Sequence, residues 1–356
     1  MKKVYYLLLA LSMASCNKSS APMAEPFTKH EGRVFICNEG NFMYGNASLS
    51  LYDPENKSVK NQLFYTVNNF PLGDVVQSMA IIDGRGFVVV NNSGKVVVID
   101  IETCQYLGTI KGLNSPRYIV QQSATKIYIS DLYSRSITIA NPTTFELTGS
   151  VAVGGSTEQM VLDKEFLYAC SWSFNNKLYK IDTRTDRVID SLSLTKQPNS
   201  MTIDKDGKIW VLSDGGYIGS PYTPEVATLS RINTHTFTVE QQFSFLELKR
   251  SPSELTSNAT RDTLYYLSSG SDNKASDGLY QMDIHNNGLP TQPFIGQQGR
   301  LFYGLGIDPS NSEIYLSDAI DYSQKGVVLR YSPKGTLLDS FKVDIIPGAF
   351  CFKQAH

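Results

Sequence analysis

One phrase recurs seven times along these 356 residues: an apolar strand, a loop, a second alternating strand closing on Asp, Asn or Ser, then a tight turn. The first strand of the pair falls at 34–38, 87–91, 127–131, 167–171, 209–213, 264–268 and 314–318, as in Val34-Phe35-Ile36-Cys37-Asn38 and Ile127-Tyr128-Ile129-Ser130-Asp131. The second closes at Asp53, Asp100, Asn141, Asp182, Asn233, Asp283 and Ser332, in steps of 47, 41, 41, 51, 50 and 49 residues. Short β segments repeating at this period build β-propellers, with about four strands to a blade. The repeat therefore predicts an all-β chain folded as a seven-bladed β-propeller.

The two ends of the chain predict how the ring closes. A short inner strand precedes each of the last six pairs, at 78–82, 117–120, 159–162, 200–203, 254–256 and 304–307. None precedes the first pair, and the surplus strand Ile346-Pro347-Gly348-Ala349-Phe350-Cys351-Phe352 follows the last. A C-terminal strand completing blade one would remove two open sheet edges, which otherwise template aggregation. Residues 31–356 then form one propeller domain.

Residues 1–15 read as a lipoprotein signal peptide: Lys2 and Lys3 are the basic start, Val4 to Leu11 the apolar run, and Ala14-Ser15 the small-residue stop before Cys16. Cys16 is the expected site of lipidation, with residues 16–30 a flexible tether rich in Ser, Ala and Pro. Ordinary signal cleavage, with Cys16 incidental, is the alternative. No later run approaches the roughly 18–20 apolar residues of a spanning helix, so the expected attachment is a lipid anchor that does not cross the bilayer.

A net charge of −2 gives no nucleic-acid footprint. Of four histidines, His30 lies in the tether, His356 is the last residue, and His235 and His285 fall in turns between the third and fourth strands of their blades. That distribution offers no histidine zinc site, Ser-His-Asp triad or histidine base in the long loops, and the chain has no phosphate-cradling Gly loop or Cys-x-x-Cys pair. The expectation is a non-enzyme that needs no cofactor. Acid pairs such as Asp318 with Asp321, or Glu158 near Asp131, are the residual candidates for two-carboxylate chemistry. Asp204-Lys205-Asp206-Gly207 lacks the other ligand positions of a calcium loop and reads as a turn. Cys37 and Cys170 read as buried thiols, and a disulfide between Cys37 and Cys351 stays open.

With strands named A to D outward, the A–B and C–D turns share one face and the B–C and D–A loops the other. The first set is terse Asx, Pro and Gly chemistry. The second is long and aromatic, which describes a recognition surface held on a rigid scaffold. Its expected ligand-binding residues are Asn38, Phe42, Tyr44, Asn91, Arg117, Tyr118, Asp131, Glu158, Gln159, Trp172, Asn199, Asp214, Tyr217, Tyr222, Tyr303, Asp318 and Tyr322.

These loops carry a family resemblance. Asn38-Glu39-Gly40-Asn41-Phe42, Asn91-Asn92-Ser93, Ser115-Pro116-Arg117-Tyr118, Gly155-Ser156-Thr157-Glu158-Gln159-Met160, Asp214-Gly215-Gly216-Tyr217, Asp318-Ala319-Ile320-Asp321-Tyr322 and Ile346-Pro347-Gly348-Ala349-Phe350-Cys351 resemble the BtuG-type lipoproteins of gut Gram-negative bacteria. The resemblance implies a seven-bladed surface propeller that captures cobalamin, as a transported ligand, and hands it to a TonB-dependent transporter. It also implies an outer-membrane anchor facing the cell surface. Such a ligand has a broad corrin fringed with amides and a ribose phosphate, so Tyr44, Trp172, Tyr217 and Tyr322 would cover its apolar parts, Asn38, Asn91, Gln159 and Asn199 would pair with its amides, and Arg117 would meet the phosphate. One departure is that Asn17-Lys18-Ser19-Ser20 lacks the acidic residues expected after a surface-exported lipid cysteine. A propeller that binds a glycan or protein for adhesion, and a propeller lyase or hydrolase, are the alternatives.

Overall fold

The computed structural model describes residues 32–219, 222–270 and 272–353. The signal peptide at 1–15, Cys16, the tether at 16–30, His30 and His356 lie outside the described residues.

Seven four-stranded antiparallel sheets follow one another along the chain. The inner strand of blade one is the C-terminal Pro347–Lys353, next to Arg33–Asn38, Ser48–Asp53 and Ser58–Lys60. Val34 opposes Phe352 and Phe35 opposes Cys351, so the first and last described strands zip the ring shut. Closure by the C-terminal strand is thus observed. The inner strands of the other blades are Val76–Ile82, Pro116–Ser123, Met160–Asp163, Pro198–Ile203, Ser251–Ser257 and Phe302–Ile307.

Blade two shows why the repeat is so apolar. Val88, Val90, Val97 and Ile99 pack with Phe35, Cys37, Leu49 and Leu51 of blade one. Phe87, Val89, Val96 and Val98 pack with Ile127, Ile129 and Ala140 of blade three. Successive side chains point to opposite faces of a strand, and each face meets a neighbouring blade, so a middle strand is buried on both sides. Four consecutive apolar residues, Phe87 to Val90, are the result.

The polar residue closing each repeat also has one physical role. The side-chain oxygens of Asp53, Asp100, Asn141, Asp182, Asn233, Asp283 and Ser332 each accept from the backbone N–H two residues on, at 2.8–3.3 Å. Those bonds set the C–D turns and end the strands. Asp204 likewise spends Oδ1 on the N–H groups of Asp206 and Lys208 and Oδ2 on Trp210 Nε1, which makes that run a turn.

Two details go beyond the sequence reading. A short helix, Leu63–Asn68, sits between blades one and two and buries Leu63 and Phe64. Cys37 opposes Ala349 rather than Cys351, and Cys37, Cys104, Cys170 and Cys351 are all free thiols.

Candidate functional site

The inner strands converge on a cavity of about 820 Å³ on the face of the B–C and D–A loops. Irregular pairing at the entry of these strands aims their side chains into it. Pairing skips Gln77 in blade two, Arg117 and Tyr118 in blade three, Asn199 in blade five, Glu254 and Leu255 in blade six, and Tyr303 and Gly304 in blade seven. A β-bulge re-aims a side chain out of the alternating pattern, and here six polar or aromatic groups turn toward the axis. Blade one carries Gly348 at its own irregularity, and a Cβ there would collide with the Glu39 carboxyl. Glycine at that point lets Glu39, which follows the second strand of blade one, lie across the inner strand.

The floor of the cavity is electrostatically crowded. Arg117 gives Nε to both oxygens of Glu158, at 3.0 and 2.9 Å, Nη2 to Oε1 at 2.7 Å, and Nη1 to Gln77 Oε1. All three guanidinium nitrogens are thereby directed at protein acceptors, and the charge is neutralised by Glu158. Burial raises the Glu158 carboxyl and Arg117 opposes that rise, while burial lowers Arg117 but the charge and hydrogen bonds of Glu158, with Tyr118 and Glu39, together hold its pKa above the ordinary value. Glu39 accepts from Tyr303 Oη at 3.0 and 3.1 Å and is pushed up to about 7, chiefly by burial. Glu254 is pushed up to about 8, by burial first and then by the charges of Glu39 and Glu158. Its backbone is left-handed, with φ 58°, and among the described residues its carboxyl has no hydrogen-bond or ion-pair partner.

The wall beside this floor is a second network. Asp214 accepts from Trp172 Nε1 at 3.1 Å, Asn199 Nδ2 at 3.3 Å and the Gly216 N–H at 2.8 Å, with burial raising its carboxyl against those donors. Asn199 also donates to the Pro252 carbonyl and accepts from Ser200, and Gln159 accepts from the Met201 N–H. Burial likewise raises the phenols of Tyr118 and Tyr303. At the mouth Phe42 is 64% and Tyr322 44% exposed, with Tyr322 edge-on to Tyr303.

Of the residues expected from sequence, Phe42, Asn91, Arg117, Tyr118, Glu158, Gln159, Trp172, Asn199, Asp214, Tyr303 and Tyr322 line this cavity. Six others lie elsewhere. Asn38 is fully buried and donates to Ser50 Oγ at 2.9 Å within its own blade. Asp131 accepts four backbone N–H groups, from Asn114, Ser115, Tyr133 and Ser134. Asp318 accepts from the N–H groups of Leu301 and Ile320. These three fasten loops. Tyr44 and Tyr217 stand exposed outside the cavity lining, and Tyr222 packs on Phe174 at 5.0 Å beside a separate shallow depression. Asp321 likewise accepts from Ser323, Gln324 and its own loop, so neither suggested acid pair faces a shared space.

Sequence reasoning missed Glu39, Gln77 and Glu254 as site residues. A lone Gln or Glu inside a short, otherwise mild inner strand was the available signal, at the place where Arg117 and Asn199 stand in their blades. Among the described residues no group of His, Cys, Asp and Glu is arranged to hold a metal ion.

The fold recurs in solved structures. A quinoprotein alcohol dehydrogenase-like protein from Bacteroides thetaiotaomicron superposes with a TM-score of 0.68 at 14% identity, over 91% of this chain and 78% of that one. The periplasmic gluconolactonase of Pseudomonas aeruginosa gives 0.65 at 12% identity, over 90% and 99%. A protein from Lactobacillus plantarum gives 0.65 at 14%, over 91% and 99%. Identities this low show a shared fold. No curated protein matches the chain. One family profile spans nearly the whole ring, at residues 32–344, and the chain belongs to that family, described as "Domain of unknown function (DUF5074)".

Proposed function

We propose that this protein is a non-catalytic lipoprotein, anchored through Cys16 in the outer membrane, that captures a corrinoid such as cobalamin on the loop-rich face and passes it to a TonB-dependent transporter. The observation that carries the reading is the cavity itself: about 820 Å³, walled by Trp172, Tyr118 and Tyr303, rimmed by Phe42 and Tyr322, and floored by amide and carboxyl groups. Large open pockets with apolar walls and a few placed polar groups are small-molecule sites. A corrin is broad, apolar on its faces and fringed with amides, so its edge would enter the cavity while the exposed rim aromatics cover what stands outside. Arg117 is committed to Glu158, so a ligand phosphate would sit toward the mouth instead of at the floor. Gel filtration of the protein with cyanocobalamin, followed by visible absorbance, tests this: co-elution near one ligand per chain is expected, and elution of all colour in the small-molecule volume sinks the reading.

A hydrolase or lyase is the second reading, favoured by one observation. Glu39 near 7 and Glu254 near 8 are poised where general acids and bases work. Turnover of a lactone or glycoside panel, abolished by Glu39→Gln, would replace the binding reading.

A further inference from the structure

We infer that the cavity floor selects its ligand by reading hydrogen-bond donors, with Glu254 and Glu39 as the specificity-determining acceptors for a primary amide and against the corresponding carboxylate. This deepens the corrinoid reading and rests on it.

The inventory of free hydrogen-bonding capacity decides the sign. Among the described residues Arg117 is the one cation lining the cavity, and its charge is neutralised by Glu158, with Nη1 directed at Gln77. The Asn199 Nδ2 donor is engaged by Pro252 and Asp214 and the Asn91 Nδ2 donor by Ser115 and Pro116, while neutral donors such as the Gln77 Nε2 amide and the Ser253 hydroxyl remain on the lining. The charged groups left to meet a ligand are therefore carboxyl acceptors. Among the described residues Glu254 has no hydrogen-bond or ion-pair partner and the Glu39 carboxyl is held by the Tyr303 hydroxyl alone, with Gly348 leaving room beside it. One guanidinium already bound to one carboxylate leaves two more carboxyls uncompensated, so an anionic ligand group meets like charge in a partly desolvated space.

A primary amide suits a carboxyl in either protonation state. The ionised group accepts the amide N–H, and the protonated group also donates to the amide carbonyl. Above about pH 8, where both carboxyls are ionised, a ligand carboxylate can be seated only by bringing a proton with it. The titratable groups facing Glu254 are Glu39, Glu158, Arg117, Tyr118 and Tyr303, and none supplies a free positive charge. The same floor thus accepts an amide-fringed corrin edge and rejects its hydrolysed form.

The experiment compares cyanocobalamin with derivatives in which one peripheral propionamide at a time is a carboxylate, by calorimetric titration of the full protein at about pH 9. At least one derivative is expected to bind about tenfold or more weakly than the parent, a loss near 1.4 kcal/mol. In Glu254→Gln or Glu39→Gln that derivative should recover to within about threefold of the parent. Equal binding of every derivative to the unaltered protein overturns the inference and leaves corrinoid capture standing, with no variant needed. Discrimination that survives both substitutions also overturns it. Failure of the parent to bind overturns both.

Discussion

Arg117 and Glu158 form a bidentate pair across two blades, Nε and Nη2 of one on the carboxylate of the other at 2.7–3.0 Å, with Glu158 only 3% exposed. The pair turns what looked like a ligand-binding cation into a strut between blades three and four. Removing one partner of a buried pair leaves the other charge uncompensated and costs about 3–5 kcal/mol. Arg117→Met should therefore lower stability by roughly that amount, and Arg117→Met with Glu158→Leu should lose much less. Urea unfolding of the two variants checks this. Equal losses would mean the strut is not what the pair provides.

Glu254 makes a pH prediction with a definite sign. Its folded value lies near 8 against an ordinary 4.5, so an unfolded chain releases that proton first. Between those values the folded state holds more protons, and stability falls as pH rises. The contribution is fully present below about pH 4.5 and lost through about pH 8. Glu254→Gln should remove this fall and be more stable than the unaltered protein at pH 9, by on the order of a few kcal/mol, with little difference at pH 5. Thermal melts at the two pH values decide it, and parallel pH profiles would contradict the placement of Glu254 in a desolvated floor.

Ring closure depends on Pro347–Lys353, whose residues pair with Arg33–Asn38 over six positions. Deleting 347–356 exposes an inner edge of blade one and uncovers Val34, Ile36 and Tyr315. The truncated protein should melt well below the full chain and aggregate, as open sheet edges do. A truncation melting like the full chain would show that the ring closes by some other contact.

The membrane expectation is tested apart from the fold. Cys16→Ala should move the protein from the membrane fraction of the envelope to the soluble fraction, and labelled fatty acid should no longer enter it. Label incorporated into the variant would refute lipidation at that residue.

The sequence revealed the fold because the propeller writes it locally and repeatedly. Asp53, Asp100 and Asp182 each stop a strand by the same two-residue bond, and Phe87 to Val90 records burial on both faces. The site was legible in part. Trp172, Asp214 and Tyr322 lie in long loops and could be placed on one face, but whether a polar loop residue faces ligand or backbone depends on which bonds it has already made. Asp131 ends the second strand of blade three and Asp214 directly follows that of blade five, yet Asp131 spends both oxygens on four backbone N–H groups and Asp214 reaches the cavity through Trp172 and Asn199. Glu254 was hidden for another reason. Its role arises where strands from seven blades meet, a property no single repeat contains. The helix Leu63–Asn68 escaped because Gln62 at its start offers no side-chain cap.

Calorimetric titration with cyanocobalamin of the unaltered protein, Trp172→Ala, Tyr322→Ala, His235→Ala and His285→Ala tests the central claim most directly. The first two residues stand at the cavity and the histidines in C–D turns at the other end of the blades. Truncating an aromatic anchor at an interface costs about 2 kcal/mol, roughly thirtyfold in affinity. One-to-one binding is predicted, weakened to that extent in each aromatic variant and unchanged in both histidine variants. Binding that survives in Trp172→Ala and Tyr322→Ala and disappears in the histidine variants would put the ligand on the opposite face, and no heat from any protein would remove the corrinoid altogether.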